Sequence, residues 1–292
     1  SRESGISSAS DDRVSYPVRT ALLLAFSLGI VASSVWAAAE GPGDPFGNVA
    51  SAYLVKVDGR EVWARNPDAS LPPASLTKMM TALLVLERAD LRSVVTVSGE
   101  ASRETGARLG LAPGDRMPVI DLLAATLLGS ANDACHALAE HVAGSEKKFV
   151  VLMNARAREM ALSNTRFANA CGHDAPGIRS TARDLARLAE TAMGNPVFAK
   201  MAGLEDGWIS TADAGKKFPL ENKNLLIGRY RGAIGVKTGF TGSAGKCLVA
   251  LAEREGKRVL LVLLNAPDRW WKAEEILDAA FAYGSGASSA RP

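Results

Sequence analysis

Cysteine is scarce in this chain. There are three cysteines among 292 residues, an odd number with no Cys-x-x-Cys pair. This pattern argues against a dense disulfide framework or a zinc site. Their mostly apolar neighbours predict buried thiols, while pairing of two of them in an oxidising compartment stays open. The cysteines are Cys135, Cys171 and Cys247.

Histidine is equally rare, and no Gly-x-Ser-x-Gly segment occurs. A hydrolase with a Ser-His-Asp triad usually needs both a positioned serine and a histidine base. We interpret the three histidines as surface or helix-packing residues rather than catalytic bases. They are His136, His141 and His173.

Neither sign of charge dominates. The chain has 34 basic and 31 acidic residues, a formal net charge of +3, and no basic stripe interleaved with aromatic residues. This balance predicts no nucleic-acid partner. With 47% hydrophobic and 22% charged residues, the composition is typical of a globular protein with one large domain or two lobes.

A long apolar segment lies near the N-terminus. Arg19 precedes the uncharged stretch 20–39, which ends in Ala37-Ala38-Ala39. The pattern resembles a signal peptide over residues 1–39. A retained N-terminal anchor is the alternative, because about 20 apolar residues can cross a bilayer. Both interpretations predict export to the periplasm or cell-envelope exterior, and no function is expected of residues 1–40.

Strand patterns occur at both ends of the remaining chain. Residues 51–57 alternate in polarity before the hairpin signal Asp58-Gly59. Strand patterns return over 233–264, and a closing helix is predicted over about 270–283. A helical stretch at about 99–195 lies between them. This order predicts an α/β (α+β) fold with one antiparallel sheet built from both ends and a helical lobe.

A serine and a lysine three residues apart open the first long helix. Ser75 and Lys78 share one helical face, and Pro72-Pro73 breaks the chain before them. Other Ser-x-x-Lys matches begin at Ser145, in a charged helix start, and at Ser243, in a glycine-rich turn. Only Ser75 lies at the start of an apolar helix, and the N-terminus of a helix stabilises a developing anion. Ser75 is therefore the candidate nucleophile.

Two further motifs lie far along the chain. Ser130-x-Asn132 is predicted in a turn between helices, and Lys237-Thr238-Gly239 at the end of a strand. Neither is decisive alone. Together with the Ser-x-x-Lys motif, in this order, they predict a nucleophile, its base, a proton relay and a carboxylate anchor in one cleft. An enzyme that transfers an acyl group through a serine needs these groups.

Lys78 is the candidate base for Ser75. A serine hydroxyl is a poor nucleophile until a base takes its proton, so this lysine must act in its neutral form. Burial against Met79 and Met80 and the nearby positive charge of Lys237 both favour that form.

The motifs and their surroundings resemble the low-molecular-mass penicillin-binding proteins, the D-alanyl-D-alanine carboxypeptidase family. The similarity covers nearly all of residues 48–283. It implies a β-lactamase/transpeptidase-like fold: a five-stranded antiparallel sheet flanked by helices, a helical lobe, and the active site between them. The segments that carry it best are Pro72-Pro73-Ala74-Ser75-Leu76-Thr77-Lys78-Met79-Met80-Thr81, Ser130-Ala131-Asn132-Asp133-Ala134 and Val236-Lys237-Thr238-Gly239-Phe240-Thr241.

The resemblance also implies roles for the motif residues. Ser75 would attack the penultimate D-alanine carbonyl of a peptidoglycan stem peptide ending in D-Ala-D-Ala, with Lys78 and Ser130 moving protons. β-Lactam antibiotics would acylate the same serine. No metal and no organic cofactor is implied. The implied substrate-binding residues are Asn132, Lys237, Thr238 and Gly239, and the implied oxyanion donors are the backbone N–H groups of Ser75 and Phe240.

Two branches of the family remain open. A D-Ala-D-Ala carboxypeptidase is the leading hypothesis, and Ser130-Ala131-Asn132-Asp133 resembles that branch. The alternative is a DD-endopeptidase that cleaves D-Ala cross-links in peptidoglycan. The segment after Gly239 and the short chain are similar to that branch, since residues 40–292 are expected to form a single peptidase domain without a C-terminal β domain.

Two more distant alternatives are weaker. A serine β-lactamase would carry Glu-x-x-Leu-Asn about 36 residues beyond Ser130, yet that position falls at Arg166 and the segment is missing. Rapid deacylation of penicillin is therefore not predicted. A non-catalytic penicillin-recognising protein would have lost Ser75, Lys78 or Lys237, and all three are present.

Overall fold

Strands from both ends of the chain meet in one antiparallel sheet. The computed structural model describes residues 44–283. Its five-stranded sheet has the order β2-β1-β9-β8-β7. Tyr53 is paired with Leu263, and Gly239 with Cys247. The strands are β1 (Ala52–Val57), β2 (Arg60–Arg65), β7 (Ala233–Thr241), β8 (Gly245–Arg254) and β9 (Lys257–Leu264).

Helices and short strands occupy the middle of the chain. The short strands pair as β3 (Val94–Thr96) with β4 (Arg116–Pro118) and β5 (Asp206–Ser210) with β6 (Lys217–Glu221). The helices are α1 (Lys78–Arg88), α2 (Gly99–Ser102), α3 (Val119–Ala124), α4 (Asn132–Ala143), α5 (Glu146–Glu159), α6 (Ala182–Met193), α7 (Pro196–Ala202) and α8 (Arg269–Ala282).

Both faces of the large sheet are buried. Tyr53 and Val55 of β1 belong to an apolar core shared with α8, whereas Leu54 belongs to a core shared with α1 and α6. Burial on both faces explains why Val259–Leu264 is a continuous apolar run rather than an alternating one. The predicted fold class, an antiparallel five-stranded sheet flanked by helices, is confirmed.

The segments around the first and last motifs differ from the prediction in detail. Ser75 lies in a 3₁₀ turn, Ala74–Thr77, which precedes α1 rather than belonging to it. Lys237 lies inside β7, because this strand continues to Thr241 instead of ending at the lysine.

The segment around the middle motif also differs. The helix predicted over 119–128 is α-helical only to Ala124 and continues as a π-helical turn, Ala125–Gly129. Asn132 is the first residue of α4 and not part of the preceding turn. A π turn holds one more residue than an α turn and is frequent at functional sites.

Two predictions about the ends and divisions of the chain are not settled. The predicted signal peptide or anchor, residues 1–39, lies outside the described residues, and the division into a sheet region and a lobe stays a prediction. Within residues 44–283, no helix is both long enough and apolar enough to cross a bilayer.

Asp133 holds the loop that precedes β4. Its buried carboxylate accepts the backbone N–H groups of Leu109, Gly110 and Leu111, at 3.0, 2.8 and 3.1 Å. Hydrogen bonds to an ionised acceptor are stronger than neutral ones, so this one side chain ties the loop to the start of α4.

We expect Asp133→Ala to lower the free energy of unfolding by about 3 kcal/mol, because it leaves several backbone donors without an acceptor. Urea unfolding measures the loss. Asp206→Ala, on the exposed edge of β5, is the matched control and should change stability by less than about 0.5 kcal/mol. Equal effects of the two variants would contradict the anchoring role of Asp133.

Candidate active site

Lys78 lies under the hydroxyl of Ser75 and is completely buried. Its Nζ is 3.0 Å from Ser75 Oγ, because residues three apart in a 3₁₀ turn are nearly eclipsed. The same nitrogen is 2.7 Å from Asn132 Oδ1 and 2.6 Å from the Cys171 carbonyl oxygen. Hydrogen-bonding partners from three separate segments therefore fix the amine beside the candidate nucleophile.

Asn132 connects the amine to a wall of the cleft. Its Nδ2 donates to the Thr105 carbonyl at 2.5 Å, and its backbone N–H donates to the Ala107 carbonyl at 2.7 Å. Gly106 and Ala107 line the cleft. Asn132, whose side chain contacts Lys78, thus also holds this wall of the cleft in position.

Ser130 has a left-handed backbone, with φ 58° and ψ 29°. Such a conformation costs a residue other than glycine roughly 1–2 kcal/mol. The preceding π turn stabilises it, since the N–H groups of Ser130 and Ala131 both donate to the Ala125 carbonyl. Strained residues of this kind concentrate at functional sites, and Ser130 lines the same cleft as Ser75.

The cleft has a volume of about 510 Å³ and brings together most of the residues predicted from the sequence. Lys78 and Lys237 lie immediately behind its lining rather than on it. Their predicted roles, and those of the other site residues, stay predictions. The predicted residues on the cleft surface are Ser75, Ser130, Asn132, Thr238, Gly239 and Phe240.

Lys237 is a buried amine next to a second amine. Its Nζ donates to the Thr238 carbonyl at 3.1 Å. Burial, and second the charge of Lys78, hold the pKa of Lys237 well below its usual range. A carboxylate that enters the cleft would favour the charged form, so ligand binding and protonation of Lys237 are coupled.

Gly239 brings β7 against the nucleophile turn. A Cβ at this position would lie 3.1 Å from Ser75 N and equally close to the Pro73 carbonyl oxygen. A side chain here would be in tight contact with the nucleophile turn, so glycine favours the close approach of β7 to the Ser75 amide. The backbone groups of Ser75 and of the residues after Gly239 therefore face one small region of the cleft.

Arg269, which the sequence analysis did not identify, holds the peptide group between Gly239 and Phe240. Its Nη1 donates to the Gly239 carbonyl at 2.7 Å and to the Cys247 carbonyl at 3.1 Å. In a planar trans peptide the N–H points opposite to the C=O. Arg269 therefore directs the Phe240 N–H away from β8, toward the cleft.

Gly172 presses the loop that carries Cys171 against the nucleophile turn. A Cβ on Gly172 would lie 2.0 Å from the Ala74 carbonyl oxygen and 2.9 Å from Ser75 N, and its φ is +88°. The loop and the turn thus touch backbone to backbone. This contact sets the distance between the Cys171 carbonyl, which holds Lys78, and Ser75.

The cysteines are buried thiols, as predicted. Within residues 44–283 no disulfide forms, and burial raises the pKa of the Cys171 and Cys247 thiols. Cys171 contributes to the site through its backbone carbonyl, which gives no signal in a sequence.

The histidines do not contact Ser75, but two of them share a carboxylate. Glu104 accepts from His136 Nδ1 at 2.6 Å and from His173 Nε2 at 2.8 Å. Burial alone would raise the pKa of Glu104, yet these two hydrogen bonds lower it overall. The hydrogen bond with Glu104 raises the pKa of His136 to about 9. His141, by contrast, is exposed and contacts Ser93.

Known proteins share the sequence pattern and the fold of this chain. The profile of the D-alanyl-D-alanine carboxypeptidase family matches residues 46–268. The chain belongs to that family. The resemblance stated from the motifs is confirmed.

Relatives occur in both branches. A D-alanyl-D-alanine carboxypeptidase of Bacillus subtilis, DacF, is 37% identical over 240 residues, covering 79% of this chain and 61% of that protein. A D-alanyl-D-alanine endopeptidase of Escherichia coli is 31% identical over 257 residues, covering 84% of this chain and 80% of that protein. This chain therefore spans less than two thirds of the length of the first relative.

The structural comparison gives the same family. The Streptomyces K15 DD-transpeptidase superposes with a TM-score of 0.76 at 30% identity, covering 83% of this chain and 99% of that one.

We expect Gly172→Ala to destabilise the protein by about 3 kcal/mol or more, because its methyl group would collide with the Ala74 carbonyl. Gly114→Ala is the matched control, since Gly114 has the same φ of +88° with nothing within 4 Å of its Cβ position. It should cost only about 1–2 kcal/mol of backbone strain. Urea unfolding measures the free energy of unfolding of both variants. Equal losses would show that the close contact between Gly172 and Ala74 does not affect stability.

Proposed function

We propose that this protein is a serine-type D-Ala-D-Ala carboxypeptidase that acts on peptidoglycan stem peptides through an acyl-enzyme and is acylated by β-lactams. The observation that supports it most directly is the 3.0 Å contact between Ser75 Oγ and the completely buried Lys78 Nζ. A buried amine beside a cleft-lining hydroxyl is the arrangement a serine nucleophile needs when no histidine is available.

Acylation begins with proton transfer. Lys78 takes the hydroxyl proton while Ser75 Oγ forms a bond to the carbonyl carbon of the penultimate D-alanine. The oxyanion accepts hydrogen bonds from the backbone N–H groups of Ser75 and Phe240, and one such donor is typically worth about 10²- to 10³-fold in rate. Arg269 positions the second donor through its bond to the Gly239 carbonyl.

Collapse of the intermediate breaks the peptide bond. Ser130, which also lines the cleft, gives its hydroxyl proton to the leaving amine and takes up the proton that Lys78 had accepted from Ser75. Free D-alanine departs, and Lys78 is ready to accept another proton. Water, activated in turn by Lys78, then attacks the acyl carbon and releases the shortened peptide, which restores the Ser75 hydroxyl.

The free edge of β7 orients the substrate. β7 is the last strand of the sheet, so an extended peptide is able to pair with its open edge. Thr238 lines the cleft, and its hydroxyl binds the terminal carboxylate by hydrogen bonding. Lys237 lies behind the lining of the cleft. The bound carboxylate favours protonation of this amine, and the charged amine then attracts the carboxylate.

A DD-endopeptidase with the same machinery is the second candidate. The observation that favours it is the similarity to the Escherichia coli D-alanyl-D-alanine endopeptidase, which is 31% identical over 257 residues. In that case the leaving amine belongs to a second stem peptide rather than to free D-alanine.

Location follows from the proposed substrate. Peptidoglycan lies outside the cytoplasmic membrane, and residues 1–39 resemble a signal peptide or an N-terminal anchor. We therefore place the enzyme in the periplasm or at the cell-envelope exterior. Fractionation of cells that produce the full chain tests this placement, and recovery in the cytoplasm would contradict it.

Incubation with a fluorescent penicillin should label the protein, and mass spectrometry should locate the adduct on Ser75. Ser75→Ala should remain folded and unlabelled, because no other nucleophile contacts Lys78 in the described part of the chain. Ser145→Ala, from the second Ser-x-x-Lys segment, is the control and should label like the parent. An adduct on another residue would overturn the assignment of Ser75.

The branch is decided by offering two substrates to the same enzyme. A muramyl pentapeptide should release free D-alanine, and a cross-linked muropeptide dimer should remain largely intact. Chromatography of the products measures both reactions. Conversion of dimer to monomers at a higher kcat/KM than release of D-alanine would favour the endopeptidase instead.

A further inference from the structure

The side chains around His136 form a cluster outside the proposed catalytic machinery. One ring nitrogen of His136 and one carboxylate oxygen each of Glu100 and Glu140 lie within 4.8 Å of one another. Glu140 follows His136 by one helical turn of α4, and Glu100 comes from α2. One nitrogen atom and two carboxylate oxygen atoms from α2 and α4 thus lie close together.

His136 points a nitrogen into this cluster without a hydrogen bond. Its side chain is 9% exposed, and among residues 44–283 nothing accepts from or donates to its Nε2 by a hydrogen bond. The nearest charged atom is Glu140 Oε1, at 3.5 Å. A buried polar atom normally finds a partner, and a ligand bound between His136 and Glu140 would satisfy this nitrogen.

The other ring nitrogen is already committed. Nδ1 is 2.6 Å from Glu104 Oε1, and an ionised carboxylate can only accept a hydrogen bond. Nδ1 therefore carries a hydrogen, and Nε2 is the nitrogen left for coordination. Because the hydrogen bond with Glu104 raises the pKa of His136 to about 9, a metal ion that binds Nε2 displaces a proton from it. A histidine that donates one N–H to a carboxylate while its other nitrogen binds a metal is the usual outer-shell arrangement of protein metal sites.

We propose that Glu100, His136 and Glu140 bind a divalent transition-metal ion, with Zn²⁺ as the best match. A histidine nitrogen combined with carboxylates suits zinc, whereas Mg²⁺ and Ca²⁺ prefer oxygen ligands alone. Ligands at about 2.0–2.1 Å from a tetrahedral ion lie roughly 3.4 Å apart. The 3.5 Å between His136 Nε2 and Glu140 Oε1 already meets this spacing, and the exposed Glu100 has freedom to close on the ion.

These three ligands include no cysteine, so the proposed site differs from the cysteine-containing zinc site that the sequence argues against. The sequence does contain its main part, His136-x-x-x-Glu140, which places both residues on one helical face. Glu100 joins them only through the fold, because α2 packs against α4.

Metal binding would act on the cleft through α2. The segment that follows α2 carries Glu104, which holds His173, and Thr105, whose carbonyl holds Asn132. An ion between α2 and α4 therefore fixes the wall formed by Gly106 and Ala107. The site is a structural support of the cleft and supplies no step of the proposed reaction.

The test is metal binding by the untagged full chain after treatment with a chelator. Calorimetric titration with ZnCl₂ should show saturable binding of one ion per chain, and a hundredfold excess over Kd should raise Tm by roughly 5 °C or more. MgCl₂ should do neither. Absence of saturable Zn²⁺ binding, or equal binding of Mg²⁺, would overturn the proposal.

Variants locate the ion. His136→Gln should weaken Zn²⁺ binding more than Glu104→Gln, which removes only the outer carboxylate and should cost about 10- to 100-fold. His141→Gln is the matched control on the same helix and should bind like the parent. Should circular dichroism show that His136→Gln is unfolded, the exposed Glu100→Gln decides instead. Parent-like affinity in the folded ligand variant would refute the site.

These readouts are independent of catalysis. Anomalous scattering from a zinc-soaked crystal should place the ion next to His136 Nε2, and a peak only elsewhere would refute the assignment. A failure of penicillin labelling would leave this measurement unaffected.

Discussion

Burial of one amine organises this molecule. Lys78 has no exposed surface, and burying an amino group is costly unless it is hydrogen-bonded. Its hydrogen-bonding partners are Ser75 Oγ, Asn132 Oδ1 and the Cys171 carbonyl, which lie 3, 54 and 93 residues away in sequence. The nucleophile turn, the start of α4 and the loop before α6 must therefore all be in place before this side chain is satisfied. Folding and assembly of the site are the same event.

The edge of β7 complements that arrangement. The sheet ends at this strand, and Gly239 lets its backbone approach the Ser75 amide without a side chain between them. Arg269, at the first turn of α8, fixes the peptide group that follows. Electrostatic preorganisation of this kind needs rigid donors, and here the rigidity comes from a strand, a helix start and a partly buried guanidinium. The proposed catalytic geometry thus also depends on α8, which carries none of the three motifs.

The sequence carried the motifs and the fold class because both depend on side-chain type and periodicity. It did not reveal the β5–β6 pair, whose strands have five residues each and bury one residue each, Ile209 and Leu220. Nor did it reveal the π turn before Ser130, since i to i+5 bonding leaves no distinct apolar pattern. The Cys171 carbonyl and the Phe240 N–H are backbone groups, which every residue has. Arg269 and the pairing of Glu104 with His136 and His173 depend on tertiary contacts and lack a local signature.

The register of the sheet has a consequence for synthesis of the chain. β1 pairs directly with β9, so Tyr53 finds its partner Leu263 only after 210 further residues, and Arg269 comes later still. A chain growing on the ribosome contains Ser75 and Lys78 early, but the β1–β9 pair and the region around the Phe240 N–H form only after β9 and Arg269 have been synthesised. Non-local pairing of this kind also slows folding. The nucleophile and its lysine are therefore made long before the strand that completes their surroundings.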